Sequence, residues 1–190
     1  MNYQIEYLAV DWDGTLCDSI PDSYRATCST FIRLNLTPPT MLEYLKHQRP
    51  PYVQFYYDRG VPPSVSSDQI WEWYLAAANH HDNKLFADTV PALVKLRKNG
   101  CKIVLVTGQK LKTVEHLLTV HKCPKLFDFM LCETMPSKIP FFLEACELLK
   151  ARPDQVHALG DIAWDMAEAK EAGLIPIGIK RCTEHELGRA

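Results

Sequence analysis

The stretch Asp11-Trp12-Asp13-Gly14-Thr15-Leu16 directly follows the apolar run Ile5 to Val10. Carboxylates two apart in an extended segment point to the same side, and Gly14 lets the chain turn sharply beyond them. Such a pair can divide labour, one acid as nucleophile or metal ligand and the other as general acid and base. By itself the stretch also reads as a solvated Asp-Gly turn. A second cluster, Val106-Thr107-Gly108-Gln109-Lys110, sets a hydroxyl and backbone N–H groups at a helix start, a natural seat for a phosphate. Thr-Gly is an ordinary helix cap as well. Lys138 opens a later helix, where a lone lysine ordinarily faces solvent. In Gly160-Asp161-Ile162-Ala163-Trp164-Asp165 the carboxylates stand four apart on one face of a starting helix. That suits a hard cation such as Mg²⁺, and equally the dipole at a helix N-terminus.

These clusters need a frame. Ile5 to Val10, Ile103 to Val106, Val156 to Leu159 and Ile175 to Ile179 are short runs rich in Val, Ile and Leu, and Phe127 to Leu131 is a weaker fifth. Runs without strict alternation suit strands covered on both faces. Helical spacing marks Val90 to Lys98, stopped by Asn99-Gly100, then Lys110 to Val120, Ile139 to Leu149, and Ala163 to Ala172 before Gly173. Strand and helix in alternation predict an α/β fold, a doubly wound parallel five-stranded sheet with right-handed crossovers. Ligands of such sheets sit at the carboxyl ends of the strands, where every polar cluster above falls.

One interval breaks the alternation. Residues 20–81 hold helices but no convincing strand, with a helix from Pro21 to Leu34, another capped by Ser67 over Asp68 to Ala78, and Pro-Pro pairs at 38–39, 50–51 and 62–63. A structureless loop of that length inside a compact domain is implausible. The spacing therefore predicts a core domain from 1–19 and 82–190, with a helical subdomain at 20–81. Tyr44, Tyr52, Phe55, Tyr56, Tyr57, Trp71, Trp73 and Tyr74 would chiefly form that subdomain's core. His47, Arg49 and Arg59 are expected to be surface residues, and His80-His81 a surface or hinge pair, because neighbours on a helix point different ways.

The 190 residues carry 21 Lys and Arg against 23 Asp and Glu, a formal charge of −2. That balance argues against a nucleic-acid partner, which needs clustered basic residues. With 47% hydrophobic and 23% charged residues the chain can bury a core. No apolar run approaches the roughly 20 residues of a membrane span, and Met1 to Glu6 lacks the layout of a signal peptide. The seven cysteines, with no C-x-x-C pair, read as reduced thiols of a cytoplasmic protein.

In the order acid pair, hydroxyl, lysine, acid pair, the sequence resembles the haloacid dehalogenase superfamily. Within it the layout is similar to the phosphoglycolate phosphatase-like group, which carries a small helical cap after the first motif. The resemblance runs from Asp11–Leu16 through Val106-Thr107-Gly108 and Lys138 to Gly160-Asp161 and Asp165, and includes Ala169-Lys170-Glu171-Ala172-Gly173. Two motifs differ in detail: a usual Lys-Pro is here Lys138-Ile139-Pro140, and a frequent Thr-Asn is Thr107-Gly108. The chain also ends at Ala190, short of a terminal strand and helix found in many relatives.

The resemblance implies a Mg²⁺-dependent phosphatase acting through an aspartyl-phosphate on a small phosphorylated metabolite, such as a phosphoglycolate-like monoester. Asp11 would be the nucleophile and Asp13 the general acid and base. Thr107, Gly108 and Lys138 would bind the phosphate. Asp11, Asp161 and the Asp13 carbonyl would hold the metal, with Asp165 supporting the metal's ligands or orienting Lys138. Positive charge is needed: at 4 Å and an effective dielectric of 20, a carboxylate facing a phosphate dianion is repelled by about 8 kcal/mol. Within the superfamily a sugar-phosphate mutase, pyrophosphatase or nucleotidase fits the same motifs. A phospho-receiver signalling domain fits less well, because Leu131-Cys132-Glu133 offers no aspartate at its mid-sheet position.

Overall fold

The structure, a computed structural model, describes residues 4–181. Cα packing groups 4–18 with 81–181 in one compact unit and 19–80 in a second.

In the first unit the apolar runs form β1 (Tyr7–Val10), β4 (Lys102–Val106), β5 (Phe129–Leu131), β6 (Val156–Gly160) and β7 (Ile175–Gly178). They make one sheet in the order β5-β4-β1-β6-β7, parallel at every pairing. The chain therefore builds outward from β1 in one direction and then in the other, so β1 is where the strand order reverses. Period-2 alternation sends neighbouring residues to opposite faces. Leu8, Val10, Ile103 and Leu105 pack with Leu93 of α5 (Thr89–Lys98) and with Val114 and Leu117 of α6 (Leu111–Val120). On the other face Ala9, Val104, Val106 and Ala158 meet Phe142, Ala145 and Leu149 of α7 (Ile139–Leu149) and Ala169 of α8 (Ala163–Glu171). Burying such a side chain contributes about 1.5–3 kcal/mol, and both faces are covered. This explains the unalternating runs.

Several boundaries differ from the sequence reading. β1 begins at Tyr7 rather than Ile5, and the fifth run is a strand only from Phe129. There Asp128 leaves the strand pattern to accept the Ile103 N–H at 2.8 Å and to pair with Arg97 at 2.7 Å. Lys110 caps α6 rather than beginning it, and Ala172 caps α8. A short antiparallel pair, β2 (Cys17–Asp18) with β3 (Lys84–Leu85), has no sequence signature because two residues cannot show a period. Asn99-Gly100 does end α5, with Gly100 at φ +87°.

The second unit is α1 (Ile20–Arg33), α2 (Met41–His47), α3 (Tyr52–Tyr57) and α4 (Ser67–Ala77). Phe31, Tyr44, Phe55, Tyr56, Val61, Val65 and Ile70 form its buried centre, with Phe31 stacked on Tyr56 at 5.6 Å. Of the eight aromatics named above, Tyr44, Phe55 and Tyr56 are buried, whereas Trp71 is 54% exposed and stacks on Tyr74. The cap of α4 is Ser66, not Ser67: its hydroxyl accepts the Gln69 N–H, which places the helix one residue earlier. His47 and Arg49 are exposed, and Arg59 lies over the Phe55 ring.

Asp22, in the first turn of α1, is buried. Its carboxylate accepts the Asn79 N–H with both oxygens at 3.0 Å, pairs with Arg25, and lies 3.3 Å from His80 Nδ1. Arg25 also donates to the Ala77 carbonyl. One acid thus ties together the two ends of this unit. Among the described residues six cysteines are free thiols; Cys182 lies outside them. No helix among the described residues is long and apolar enough to cross a membrane. Asp22→Ala should destabilise the protein by about 1–3 kcal/mol, because the Asn79 N–H loses a charged acceptor. Urea unfolding followed by circular dichroism would measure it.

Candidate active site

The site is assembled at the carboxyl ends of β1, β4 and β6. Val10 is level with Leu105 on one side and Leu159 on the other, and the Asp11 N–H continues the ladder to the Leu159 carbonyl at 2.9 Å. Asp11 therefore leaves the sheet where the strand order reverses, the position at which such sheets bind ligands. Beyond it the chain folds tightly. The Trp12 carbonyl accepts N–H groups from Thr15, Leu16 and Cys17, a turn that Gly14 makes possible at φ +69°. A β-carbon at Gly14 would stand 2.1 Å from Asp161 Oδ2. The missing side chain is what admits the Asp161 carboxylate.

Three oxygens, one each from Asp11, Asp161 and Asp165, lie within 4.8 Å of one another. Lys138 faces them from the start of α7. Its Nζ is 2.8 Å from Asp11 Oδ1 and 2.6 Å from Asp165 Oδ2, and the residue is 7% exposed. Unlike a lone lysine at a helix start, it does not face solvent: it crosses to the acids instead of capping its own helix. Burial alone would pull its pKa down, but Asp11 and Asp165 raise it above the ordinary lysine range. Burial, then the charges of Asp11 and Asp165, push Asp161 up to about 8. Burial and Asp11 push Asp165 up to about 6, with Lys138 opposing.

Three carboxylates against one ammonium leave two formal negative charges unbalanced. An all-oxygen set so close together, with two of its acids held back from ionising, fits a small hard divalent cation. The Asp13 carboxylate is not in this group. Asp13 is half-buried and bridges to Cys17 at the turn.

Thr107 is buried one residue beyond the end of β4. Its hydroxyl accepts the Gln109 N–H at 3.1 Å, and Gln109 Oε1 in turn accepts the Lys110 N–H. The N–H groups next to the helix are thus already engaged, which leaves the exposed Gly108 as the open part of this loop. Two backbone bonds, Glu133 N–H to the Gln109 carbonyl and Thr134 N–H to the Thr107 carbonyl, fasten the loop after β5 against it. The structure thus brings Asp11, Lys138, Asp161 and Asp165 into contact, and sets Thr107 at the neighbouring strand end.

Two contributors escaped the sequence reading. The buried Thr15 hydroxyl lies 3.4 Å from Asp161 Oδ1, while its carbonyl accepts from Arg181, itself paired with Asp88. Thr15 stands within the first motif, but nothing in its spacing assigned its hydroxyl to Asp161. The other is Glu168, a buried acid one turn beyond Asp165.

A family model, haloacid dehalogenase-like hydrolase, matches residues 9–179. The chain belongs to this family. This hydrolase is 28% identical over 183 residues to a phosphoglycolate phosphatase of Pseudomonas putida, covering 89% of this chain and 67% of that protein. It is 25% identical over 205 residues to a phosphoglycolate phosphatase of Neisseria gonorrhoeae, covering 94% of this chain and 83% of that one. Among solved structures, a haloacid dehalogenase-like family hydrolase from Streptococcus pneumoniae superposes with a TM-score of 0.75 at 23% identity, over 92% of this chain and 84% of that one. That likeness in fold covers both the α/β sheet and the helical unit.

Gly14→Ala tests the tight approach to Asp161. The substitution combines a left-handed backbone with a collision, so it should cost about 1–3 kcal/mol of stability and abolish turnover by displacing Asp161. Thermal melting and steady-state assay of the same preparation would show both losses together.

Proposed function

We propose that this hydrolase is a phosphatase that cleaves a small phosphorylated metabolite, a phosphoglycolate-like monoester, by way of an aspartyl-phosphate. The observation that carries the reading is the buried Lys138 ammonium held between Asp11 and Asp165 at the strand-order switch, beside Asp161. Nucleophile, positive charge and cation ligands then share one small space. The phosphoglycolate phosphatases among its relatives support the substrate class.

Asp11 attacks phosphorus, and the bond to the leaving oxygen breaks as Asp13 delivers its proton. Asp13 then takes a proton from the water that hydrolyses the acyl phosphate, which restores both carboxyl groups. An alkoxide is a poor leaving group, so an acid at position 13 fits cleavage of an ester oxygen. Lys138 balances charge on the transferring oxygens, and Thr107 and the Gly108 backbone bind them. Asp11, Asp161 and the Asp13 carbonyl would hold Mg²⁺, with Asp165 at hand to support them, and the ion would offset the charge repulsion between Asp11 and the phosphate. Residues 19–80 would act as a cap, and a cap that must close favours small soluble esters.

A Mg²⁺-dependent screen over small phosphorylated metabolites should find turnover of one or a few esters. Asp11→Asn should remove at least about a thousandfold of that activity, and Asp13→Asn about a hundred- to ten-thousandfold. Appreciable turnover by Asp11→Asn rejects the assignment.

Stability carries a second signature. Raised carboxyl pKa values mean that the folded protein keeps protons the unfolded chain gives up in the ordinary carboxylate range. Without a divalent ion, stability should therefore fall as pH rises through about 6 and on to about 8. Added Mg²⁺ should raise the melting temperature more at pH 8 than at pH 5. Asp161→Asn should flatten that difference in calorimetric scans.

A further inference from the structure

Helix α8 holds Lys138 at both ends. Asp165 Oδ2 accepts its ammonium at 2.6 Å, and Glu168 Oε2 accepts its backbone N–H at 2.9 Å. The two acids are three apart on one helix face, and both are buried. Burying a carboxylate is costly unless a specific partner compensates it.

The partner here is the start of α7. A helix N-terminus leaves N–H groups without intrahelical acceptors. Lys138 occupies the cap position, but its side chain makes no capping bond because it is directed at Asp11 and Asp165. The Ser137 hydroxyl accepts the Ile139 N–H at 3.2 Å, and Glu168 accepts the Lys138 N–H. Pro140, one place beyond the usual Lys-Pro spacing, leaves Ile139 with an N–H, and Ser137 is its acceptor, so Glu168 serves Lys138 alone. A carboxylate at that position also gains from the helix dipole and forms a charge-assisted bond.

We propose that Glu168 is a positioning residue: by fixing the Lys138 backbone amide it sets where the ammonium stands over Asp11. It touches neither phosphate nor the attacked atom in this scheme. The inference rests on the phosphatase reading above.

The test uses the full chain with p-nitrophenyl phosphate, inorganic phosphate as competitive inhibitor, and thermal melting of every variant. Glu168→Ala should lower kcat and weaken phosphate inhibition about ten- to a hundredfold, while still showing a cooperative melt. Glu168→Gln, whose amide oxygen can accept the same N–H, should stay within about threefold of wild type in both readouts. If Glu168→Ala does not fold, Glu168→Asp carries the test. Its shorter carboxylate reaches the amide only by shifting the helix start, so kcat should fall at least about fivefold in a folded protein.

Variants that lose only melting temperature, with kcat and phosphate inhibition unchanged, overturn the positioning role. So does Glu168→Gln behaving as badly as Glu168→Ala, since the acceptor would then not be what matters. An active wild type with unaffected variants refutes the role of Glu168 alone. A wild type that turns over neither this ester nor any metabolite overturns the phosphatase reading, and the role of Glu168 with it.

Discussion

A buried ammonium between two buried carboxylates is the contact around which this fold is organised. Lys138 loses hydration on leaving water, and only direct contact with Asp11 and Asp165 makes that tolerable. The contact in turn demands that β1, α7 and α8 meet within hydrogen-bond reach. A parallel sheet supplies this cheaply, because every strand delivers its carboxyl end to the same edge. Asp161 then overfills the site with negative charge. Burial first, and then the neighbouring acids, hold Asp161 and Asp165 above the ordinary carboxyl range, and the excess negative charge suits the site to a divalent cation.

The first motif shows how chemistry and packing share a short stretch. Asp11 faces the lysine, whereas Trp12 is 1% exposed and Leu16 is equally part of the core cluster behind β1. Gly14 does neither job; it is small so that Asp161 can approach. Thr15 contributes its hydroxyl toward Asp161 and its carbonyl to Arg181.

The acids at positions 11 and 161 were legible in sequence because strand ends are marked by the abrupt change from apolar to polar residues. The sheet was legible for the same reason: β1, β4 and β6 are covered on both faces, so their interiors are apolar apart from the buried His157. Lys138 was visible as a position but not as a buried one, since burial of a lysine depends on distant acids that periodicity does not bring together. Glu168 was harder still. Its spacing from Asp165 gives a shared helix face, yet whether that face meets solvent or the start of α7 is decided by tertiary packing. Ser66 and Ser67 illustrate the smaller scale. Two adjacent serines are equal as caps by type, and only the backbone at Ser66, extended at ψ 160°, selects one.

The helical unit follows a different logic from the sheet. Its rings pack on one another, Tyr44 edge-on to Phe55 and Phe31 on Tyr56, and Asp22 binds its two ends together. Its buried centre is built from residues of 19–80. Under the proposed function this separation matters for specificity. Substitutions of the helical unit's exposed side chains should leave undisturbed the charge balance among Asp11, Lys138, Asp161 and Asp165, all of which belong to the other unit. The chemistry is set by burial at the strand ends, where one uncompensated charge costs several kcal/mol. Substrate choice can then be set by exposed side chains, where a change usually costs less than about half a kcal/mol of stability.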